Sequence, residues 1–234
     1  MRVLVLGDGV LGSEIVQQTR WDYISRKKDS FDITNKSTYN LLTKIKFGAI
    51  QYCDYDVIVN TIACTDSYSD NKKIHYNVNY KGVANLVEFC NKWNKKLIHI
   101  STEFVYANNP PFPSEEDIPQ PDSTWYAYTK LLADEHIKMF CKNYLICREL
   151  HKINNFSPKK VWNVLTNGDK VKNISELIIK LIIKNAKGIF NVGTKSKSFL
   201  DLYPKGNLID PPKHVPKDTR MNINKLNTFL NENR

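Results

Sequence analysis

The sequence lacks any long hydrophobic run. Of its 234 residues 41% are hydrophobic, but no apolar stretch approaches the roughly 20 residues that a helix needs to cross a bilayer, so we expect no membrane span. The N-terminus is apolar, yet glycines and Asp8 interrupt it and no small-residue cleavage site follows. We therefore expect it to belong to the mature fold rather than to a signal peptide. A chain of this length can bury one core, and we expect one large domain with a small annex.

Cysteine pairs and metal-binding clusters are also lacking. The five cysteines are odd in number and widely spaced, without a C-x-x-C pair: Cys53, Cys64, Cys90, Cys141 and Cys147. This usage favours reduced thiols and a cytoplasmic location. The histidines are dispersed, and we interpret each as an ordinary surface or core residue rather than a metal ligand: His75, His99, His136, His151 and His214.

The net charge of +10 lacks the distribution that is typical of nucleic-acid-binding proteins. The lysines occur as scattered pairs rather than as a dense stripe, for example at 27–28, 72–73, 95–96 and 159–160. We expect no nucleic-acid partner. The positive field would instead attract anionic small molecules that carry phosphates.

Strand-type and helix-type segments alternate along the first 150 residues. The strand-type segments lie at 2–7, 22–26, 56–63, 96–102 and 144–150, and most of them are rich in Val, Ile and Leu. Helix-type segments begin near Leu11 and follow near 36–45, at 80–93 and at 124–142. Continuous apolar strands that alternate with helices are typical of a parallel sheet covered on both faces. We predict an α/β fold in which residues 1–150 form a Rossmann-type doubly wound parallel sheet.

The remaining residues, 151–234, are richer in asparagine, lysine and proline. We predict a helix at 173–186, a strand at 188–193 and a short closing helix near 222–230. This region is interpreted as a small C-terminal substrate-binding annex that is interleaved with the Rossmann core. A proline-rich loop at 106–123 separates a strand from a long helix, and loops of this length in compact domains are often functional.

A glycine-rich turn follows the first strand. The run "GDGVLG" places Gly7, Gly9 and Gly12 in a G-x-G-x-x-G pattern between a buried-type strand and a helix. The first glycine permits a tight turn, the second lets the backbone approach a pyrophosphate, and the third allows close helix packing. The helix N-terminus adds amide donors and positive potential. In this context the pattern predicts a dinucleotide site rather than an ordinary turn.

The end of the second strand predicts which dinucleotide binds. An acidic residue there would hydrogen-bond the ribose hydroxyls and repel a 2′-phosphate, but this strand ends in Ser25, Arg26 and Lys27. These side chains can donate hydrogen bonds and positive charge to a 2′-phosphate, so we predict NADPH rather than NADH. The alternative is that they are merely solvated residues at a strand end. Asp32 and Ile33 could lie against the adenine.

A hydroxyl, a phenol and an ammonium are spaced for carbonyl reduction. The segment "HISTEF" ends a strand at the edge where doubly wound sheets bind ligands, so Thr102 or Ser101 could hold a carbonyl oxygen. In "WYAYTK", Tyr126 and Lys130 are four residues apart and share a helix face. Tyr126 could donate a proton as hydride arrives, while Lys130 favours the phenolate and holds the nicotinamide ribose. Taken alone, the pair would be a half-buried tyrosine beside a solvated lysine.

Together these motifs resemble the extended short-chain dehydrogenase/reductase superfamily, and within it the dTDP-4-dehydrorhamnose reductase family. The matching pieces cover nearly the whole chain in the family's order: "VLGDGVLG", "NTIACTD", "NVNYKGVANL", "STEFVY", "YAYTK", "LICREL" followed by "NNF", and "DTRMNINKL". The resemblance implies a catalytic Thr102, Tyr126 and Lys130, with Glu103 where the family usually places an aspartate. It also implies cofactor contacts from Val10, Leu11, Asp32, Ile33, Ile62, Ala63 and Thr65.

The activity implied by the resemblance is NADPH-dependent reduction of a nucleotide-linked 4-keto-6-deoxyhexose, as in dTDP-rhamnose biosynthesis. His151 stands roughly where the rhamnose enzymes carry a substrate-facing tryptophan, and the annex is shorter than usual, so the sugar stays open. Relatives that also epimerise the sugar place a cysteine just beyond the active hydroxyl, where this chain has Phe104 and Val105. We therefore expect reduction without epimerisation. The residues expected to contact the substrate are Thr102, Glu103, His151, Asn154, Asn155 and Arg220.

Two alternatives stay open at the level of the sequence. A nucleotide-sugar epimerase or dehydratase of the same fold would bind NAD tightly and recycle its hydride, which the basic strand end disfavours. A regulatory subunit that binds NADP without turnover, as in the methionine adenosyltransferase β-subunit group, is also resembled and would keep the Tyr-Lys pair. The oligomeric state is open as well, with a homodimer possible.

Overall fold

The computed structural model of the protein describes residues 1–43, 54–154, 157–213 and 215–232. The chain divides into two compact units, the first made of residues 1–100 and 123–146 and the second of residues 101–122 and 147–234. The last of these boundaries lies at residue 146, and the predicted division lies at residue 150. The proline-rich loop, which the prediction assigns to the first unit, belongs almost entirely to the second.

The first unit alternates strands with helices. Its elements in chain order are β1 (Val3–Leu6), α1 (Val10–Thr19), β2 (Asp22–Ile24), α2 (Arg26–Asp29), β3 (Val57–Asn60), α3 (Lys72–His75), α4 (Gly82–Lys92), β4 (Lys96–Thr102), α5 (Trp125–Phe140) and β5 (Tyr144–Glu149). The last residues of β4 and β5 continue into the second unit. Strand β1 pairs in parallel with both β2 and β3, and β3 pairs in parallel with β4.

The second unit contains short strands and three α-helices among its described residues. They are β6 (His151–Lys152), β7 (Lys160–Trp162), β8 (Leu165–Thr166), β9 (Asp169–Lys170), α6 (Val171–Ile183), β10 (Gly188–Val192), β11 (Lys197–Ser198), α7 (Phe199–Leu202), β12 (Asn207–Ile209) and α8 (Asn224–Glu232). Three two-stranded sheets join β11 with β8, β12 with β7, and β6 with β9. Helix α6 buries an apolar stripe, and on α8 Phe229 packs edge to face on Phe190 at 5.3 Å between centroids.

Six strands form the main sheet in the order β10-β5-β4-β3-β1-β2. The predicted α/β class with a parallel sheet is confirmed. The chain starts at β1, moves outward to β2 and then returns past β1 to β3. The strand order therefore reverses between β1 and β3, and in such sheets ligands bind outside the carboxyl ends of the strands at this switch point.

Strands β1 and β3 of the first unit form because their apolar runs can be buried on both faces. All four residues of β1 and all four of β3 are buried. Helix α1 covers the sheet with Leu11 and Ile15, whereas α4 buries Val83, Leu86 and Val87. Burial of side chains of this size is worth about 1.5–3 kcal/mol each, which is why the periodic apolar positions decide where these elements lie.

The helix predicted at 80–93 is longer than expected and is interrupted. A helical run begins with α3, continues as a π-helical turn over Tyr76–Lys81 and ends with α4. π-helical turns inside helices are rare and often lie at functional sites. This one carries Asn79, which is 1% exposed.

The helix predicted near 36–45 was wrong in type, since Lys36–Leu42 form a 3-10 helix capped by the Asn35 side chain. Residues 44–45 of that prediction lie outside the described residues. A second 3-10 helix, Glu103–Tyr106, directly follows β4. Within the described ranges, none of the helices combines the length and the hydropathy that crossing a membrane would require.

Candidate active site

The glycine turn after β1 has the geometry that its sequence pattern predicts. Gly7 adopts a φ of +103°, which side-chain-bearing residues rarely adopt, and a Cβ on Gly12 would lie 2.3 Å from the Gly7 carbonyl oxygen. A Cβ on Gly9, by contrast, would meet nothing within 4 Å. The turn is therefore tight on its protein side and open beside Gly9, at the N-terminus of α1, where backbone amides favour an anion. Val10 is exposed there, while Leu11 is buried in the core.

The three residues after β2 that are predicted to bind a 2′-phosphate, Ser25, Arg26 and Lys27, have different surroundings. Ser25 is fully buried, and its Oγ accepts a hydrogen bond of 3.1 Å from the Lys28 backbone amide as the N-cap of α2. The Ser25 side chain thus has a structural partner that the sequence did not indicate. Arg26 and Lys27 are exposed, so the cations that can reach a ligand at this strand end are on α2 itself.

Asp32 and Ile33 follow α2 and have different surroundings. The Asp32 carboxylate accepts hydrogen bonds from the backbone and hydroxyl of Thr34 and lies 3.5 Å from the Arg26 guanidinium. Partial burial alone would raise the pKa of Asp32, but the Thr34 hydrogen bonds and the Arg26 charge outweigh it and hold that pKa below its usual value. Ile33 is 2% exposed, and its side chain lies against Gly82.

The loop after β3 carries the other expected cofactor residues. Ile62 and Ala63 are half-buried and Thr65 is exposed. The Asn79 side chain holds this loop, because its Oδ1 accepts from the Cys64 backbone amide at 2.7 Å and its Nδ2 donates to the Cys64 carbonyl at 3.1 Å. This role of Asn79 was not predicted from the sequence, although Asn79 lies in the "NVNYKGVANL" motif. A buried asparagine inside a helical segment was the available signal.

Helix α5 presents Tyr126 and Lys130 on one face, as their spacing predicts. Tyr126 is half-buried, and its ring lies edge to face against His75, with 6.4 Å between centroids. Tyr128 is 46% exposed and stacks edge-on against Trp125 at 5.7 Å. The two tyrosines of the motif therefore have distinct environments.

Lys130 is not a solvated lysine, because only 1% of it is exposed. Its ammonium donates to the Ile100 backbone carbonyl at 2.5 Å and lies 3.3 Å from Nε2 of His99. A buried ammonium is stable only with such partners. The helix and the end of β4 thus fix where this positive charge lies.

In the second unit, Thr102 and Glu103 form a pair at the end of β4. The Thr102 hydroxyl donates to Glu103 Oε2 at 2.9 Å and also accepts from the Phe104 amide, so Thr102 caps the following 3-10 helix. Both side chains are buried, at 3% and 4% exposure. Ser101, the other hydroxyl considered from the sequence, is buried as well.

A cluster of titratable groups surrounds Glu103. Burial raises the pKa of Glu103 to about 7, although Lys152 and the Thr102 hydrogen bond partly offset it. Nδ1 of His151 lies 3.0 Å from the carboxylate of Glu149. Burial alone would lower the pKa of His151, but the charge and hydrogen bond of Glu149 outweigh it and raise that pKa above its ordinary value. A carboxyl group whose pKa is about 7 is partly protonated at neutral pH and can then donate a hydrogen bond. The raised pKa of His151 likewise increases the fraction of its ring in which both nitrogens carry a proton that can be donated.

Arg220 lines a small pocket of the second unit together with Glu103, Tyr106 and a group of prolines. Its guanidinium makes a two-point contact with Asp218, at 2.8 and 2.5 Å, and stacks over Phe112 at 4.4 Å. The expected substrate residues Glu103 and Arg220 are therefore brought to one pocket. Asn154 is half-buried and accepts from the Lys172 amide, whereas Asn155 lies outside the described residues.

The chain matches a protein family and several curated proteins. A family model described as the RmlD substrate binding domain matches residues 1–153. Among curated proteins, the dTDP-4-dehydrorhamnose reductase of Mycobacterium tuberculosis strain H37Rv is 28% identical over 149 residues, which cover 58% of this chain and 45% of that protein. The chain thus matches less than half of the length of that reductase. The spore coat polysaccharide biosynthesis protein SpsK of Bacillus subtilis strain 168 is 25% identical over 213 residues, covering 82% and 72% respectively.

Solved structures share the fold. A dTDP-4-dehydrorhamnose reductase from Bacillus anthracis, in complex with NADP, superposes with a TM-score of 0.80 at 21% identity, covering 97% of this chain and 92% of that one. A UDP-glucuronic acid 4-epimerase from Bacillus cereus, in complex with UDP-glucuronic acid and NAD, gives 0.78 at 19% identity, covering 99% and 93%. These likenesses confirm the Rossmann-type fold that the sequence predicts.

Proposed function

Because the chain belongs to the RmlD substrate binding domain family, we propose that it is an NADPH-dependent reductase that converts a nucleotide-linked 4-keto-6-deoxyhexose to its 4-hydroxy product. The family resemblance read from the motifs is confirmed by the family match and the relatives. The main support for the proposal is the Tyr126 and Lys130 pair on one face of α5, in which Lys130 is buried and donates a hydrogen bond to the Ile100 carbonyl. A cytoplasmic location and a homodimer are further proposals.

The glycine turn fits a dinucleotide cofactor. The open space at Gly9 and the tight packing at Gly7 and Gly12 are what a pyrophosphate-binding turn needs, and Val10 and Leu11 complete it. Arg26 and Lys27 would hold a 2′-phosphate, with Ser25 fixing the helix that carries them. Asp32, Ile33, Ile62, Ala63 and Thr65 would line the rest of the cofactor site. When bound, the reduced nicotinamide supplies the hydride.

The reaction needs one proton at the sugar's keto oxygen. Tyr126 donates it from the phenol, and the Lys130 ammonium stabilises the phenolate that is left. Lys130 would also bind the nicotinamide ribose, and Thr102 would hold the keto oxygen by turning toward it the hydroxyl proton that otherwise goes to Glu103 Oε2. General acid catalysis of this kind commonly contributes about 10²–10⁴ in rate.

The second unit would hold the sugar nucleotide. Arg220 suits a diphosphate, because a guanidinium donates in a planar fork that a lysine lacks. Glu103 and His151 would bind the sugar hydroxyls, and Asn154 and Asn155 would add amide donors. A screen of nucleotide sugars would identify the base and the sugar.

The proposal is tested by following NADPH absorbance with purified protein and a panel of 4-keto-6-deoxy nucleotide sugars. Oxidation of NADPH with one of them is the expected result. The fold is shared with an NAD-containing epimerase, so the fold does not choose between reductase and epimerase, whereas consumption of NADPH does. Tight NADPH binding without turnover on every sugar would favour the regulatory-subunit alternative and end the reductase proposal.

Replacing Arg220 by alanine should raise the substrate KM by roughly ten- to a hundredfold, since a charge-assisted contact is worth about 1.5–3 kcal/mol. The KM for NADPH should change much less. Lys217→Ala is the matched control, because Lys217 is an exposed neighbouring cation paired with Asp210. If the NADPH KM rises more than the substrate KM, Arg220 lies outside the substrate site.

The free energy of unfolding of Glu103→Gln should increase relative to that of the parent protein as the pH rises. The folded-state pKa of Glu103, about 7, lies above its ordinary value of 4.5, so the stability linked to the protonated form is present below pH 4.5 and is lost as pH rises to 7. A difference of one pKa unit corresponds to about 1.4 kcal/mol, so the parent should lose roughly 3 kcal/mol relative to Glu103→Gln across this window. Urea unfolding at pH 5 and pH 8 measures the difference. Glu116→Gln, which alters an exposed carboxyl, should show no such trend, and an equal trend in both variants would contradict the assignment.

A further inference from the structure

His99 lies beneath Lys130 in the interior of the first unit. It belongs to β4, is fully buried, and is paired in register with Asn60 of β3. Its Nε2 lies 3.3 Å from the Lys130 ammonium and its Nδ1 lies 3.3 Å from the Asn60 side-chain nitrogen. Lys130 therefore reaches β4 at two adjacent residues, the ring of His99 and the carbonyl of Ile100.

The ring of His99 is neutral in this setting. Burial, followed by the nearby Lys130 charge, holds the pKa of His99 well below its ordinary value. Asp134, one turn beyond Lys130 on α5, lies 3.9 Å from Nε2 and is also buried. Lys130 and Asp134 are thus the charged groups within 4 Å of the ring among the described residues.

A neutral imidazole has a single unprotonated nitrogen, so only one of its two neighbours can donate to it. An ammonium is a stronger donor than a side-chain amide. This assigns the unprotonated nitrogen to Nε2, which accepts from Lys130, and the proton to Nδ1, so the Asn60 amide must turn its oxygen toward the ring to accept from Nδ1. The contact then ties a strand residue to the position of the buried charge.

We propose that His99 is a positioning residue for the active site: its Nε2 accepts a hydrogen bond from Lys130 and holds the ammonium where it acts on Tyr126. The proposal rests on the proposed reductase function for its kinetic consequence, but the Lys130 contact itself can be tested without turnover. The proposed cofactor contacts of the glycine turn and of Arg26 and Lys27 do not depend on the His99–Lys130 contact.

The contact is tested with His99→Leu, which removes the acceptor at similar volume, and His99→Gln, whose side-chain oxygen can replace Nε2. In protein labelled with ¹³C at the lysine ε-carbons, the Lys130 signal is assigned by its absence from Lys130→Arg, and its titration is followed by NMR. A charge-assisted hydrogen bond corresponds to about one to two pKa units, so the titration midpoint in His99→Leu should fall by about that amount. In His99→Gln it should return most of the way to that of the parent.

His136→Leu is the matched control. His136 is also on α5, but its ring contacts Tyr80 and Phe140 rather than Lys130. The Lys130 midpoint in this variant should equal that of the parent, and thermal unfolding of each variant confirms that the fold is intact. An unchanged midpoint in His99→Leu, or an equal fall in the Leu and Gln variants, would overturn the proposal.

The kinetic arm separates the two proposals. With an active parent, kcat should fall in His99→Leu and recover in His99→Gln, with the KM for the sugar nucleotide little changed. If the parent consumes no NADPH with any 4-keto sugar nucleotide, the reductase function fails, while the NMR titration still decides the role of His99.

Discussion

Tyr126→Phe should cut turnover by a factor of about 10²–10⁴, because it removes the proton donor of the proposed reduction. The variant should still fold and bind NADPH, since the change removes one oxygen and keeps the ring that packs against His75. Single-turnover oxidation of NADPH, with the 4-keto-6-deoxy sugar nucleotide as acceptor, measures the loss directly.

Tyr128→Phe is the matched control for this experiment. It makes the same change two residues along the helix, on an exposed side chain that contacts Trp125 rather than the Lys130 face. It should cost far less than Tyr126→Phe. Near-equal rates for the two variants would remove Tyr126 from the mechanism, and a parent without turnover would favour a regulatory subunit.

Arg26→Asp should reverse the cofactor preference from NADPH to NADH. Loss of the guanidinium removes a charge-assisted contact with the 2′-phosphate worth roughly 1.5–3 kcal/mol, so NADPH affinity should fall by roughly ten- to a hundredfold. The new carboxylate would repel the phosphate while leaving NADH little affected. Fluorescence titration of each reduced cofactor measures the two dissociation constants.

Lys28→Asp controls for the change of charge on the same four-residue helix. The Lys28 ammonium lies over the Tyr23 ring at 4.2 Å, so its charge is directed to that ring. Its effect on NADPH affinity should be much smaller than that of Arg26→Asp. Equal affinities of the parent for NADPH and NADH would refute the predicted preference altogether.

The strands of the main sheet were the most predictable part of the fold, whereas the short strands β6–β9, β11 and β12 were not predicted. Strand β4 has the predicted bounds, 96–102, and β5 differs by one residue, because long apolar runs buried on both faces leave few alternatives. The segment 36–45 was harder, since it has few apolar positions and its 3-10 geometry depends on the Asn35 cap. The π-helical turn was not predictable from periodicity, because neither the residue at which it begins nor its extra residue causes a clear break in the spacing of the apolar residues.

The spacing of the candidate site residues was predictable from the sequence, but the surroundings of their side chains were not. Spacing placed Tyr126 and Lys130 on one face, yet it could not indicate that Lys130 is buried or that Ser25 caps a helix. Asn60 and His99 are 39 residues apart and meet only because β3 and β4 pair in register. The signal that could have found them is a polar side chain inside an otherwise apolar strand.

The π-helical turn has a consequence for how this region can vary. Each residue in an α-helix turns the chain by about 100°. A π-helical turn holds one residue more than an α-helical turn, so deleting one residue from it would make the run from α3 to α4 regular and leave the direction of α4 nearly unchanged. The buried face of α4, with Val83, Leu86 and Val87, would then stay in the core, and the local shift would fall on Asn79 and its hydrogen bonds to the Cys64 backbone. A chain that lacks the extra residue would therefore keep the core of the first unit but lose the side chain that holds the loop after β3.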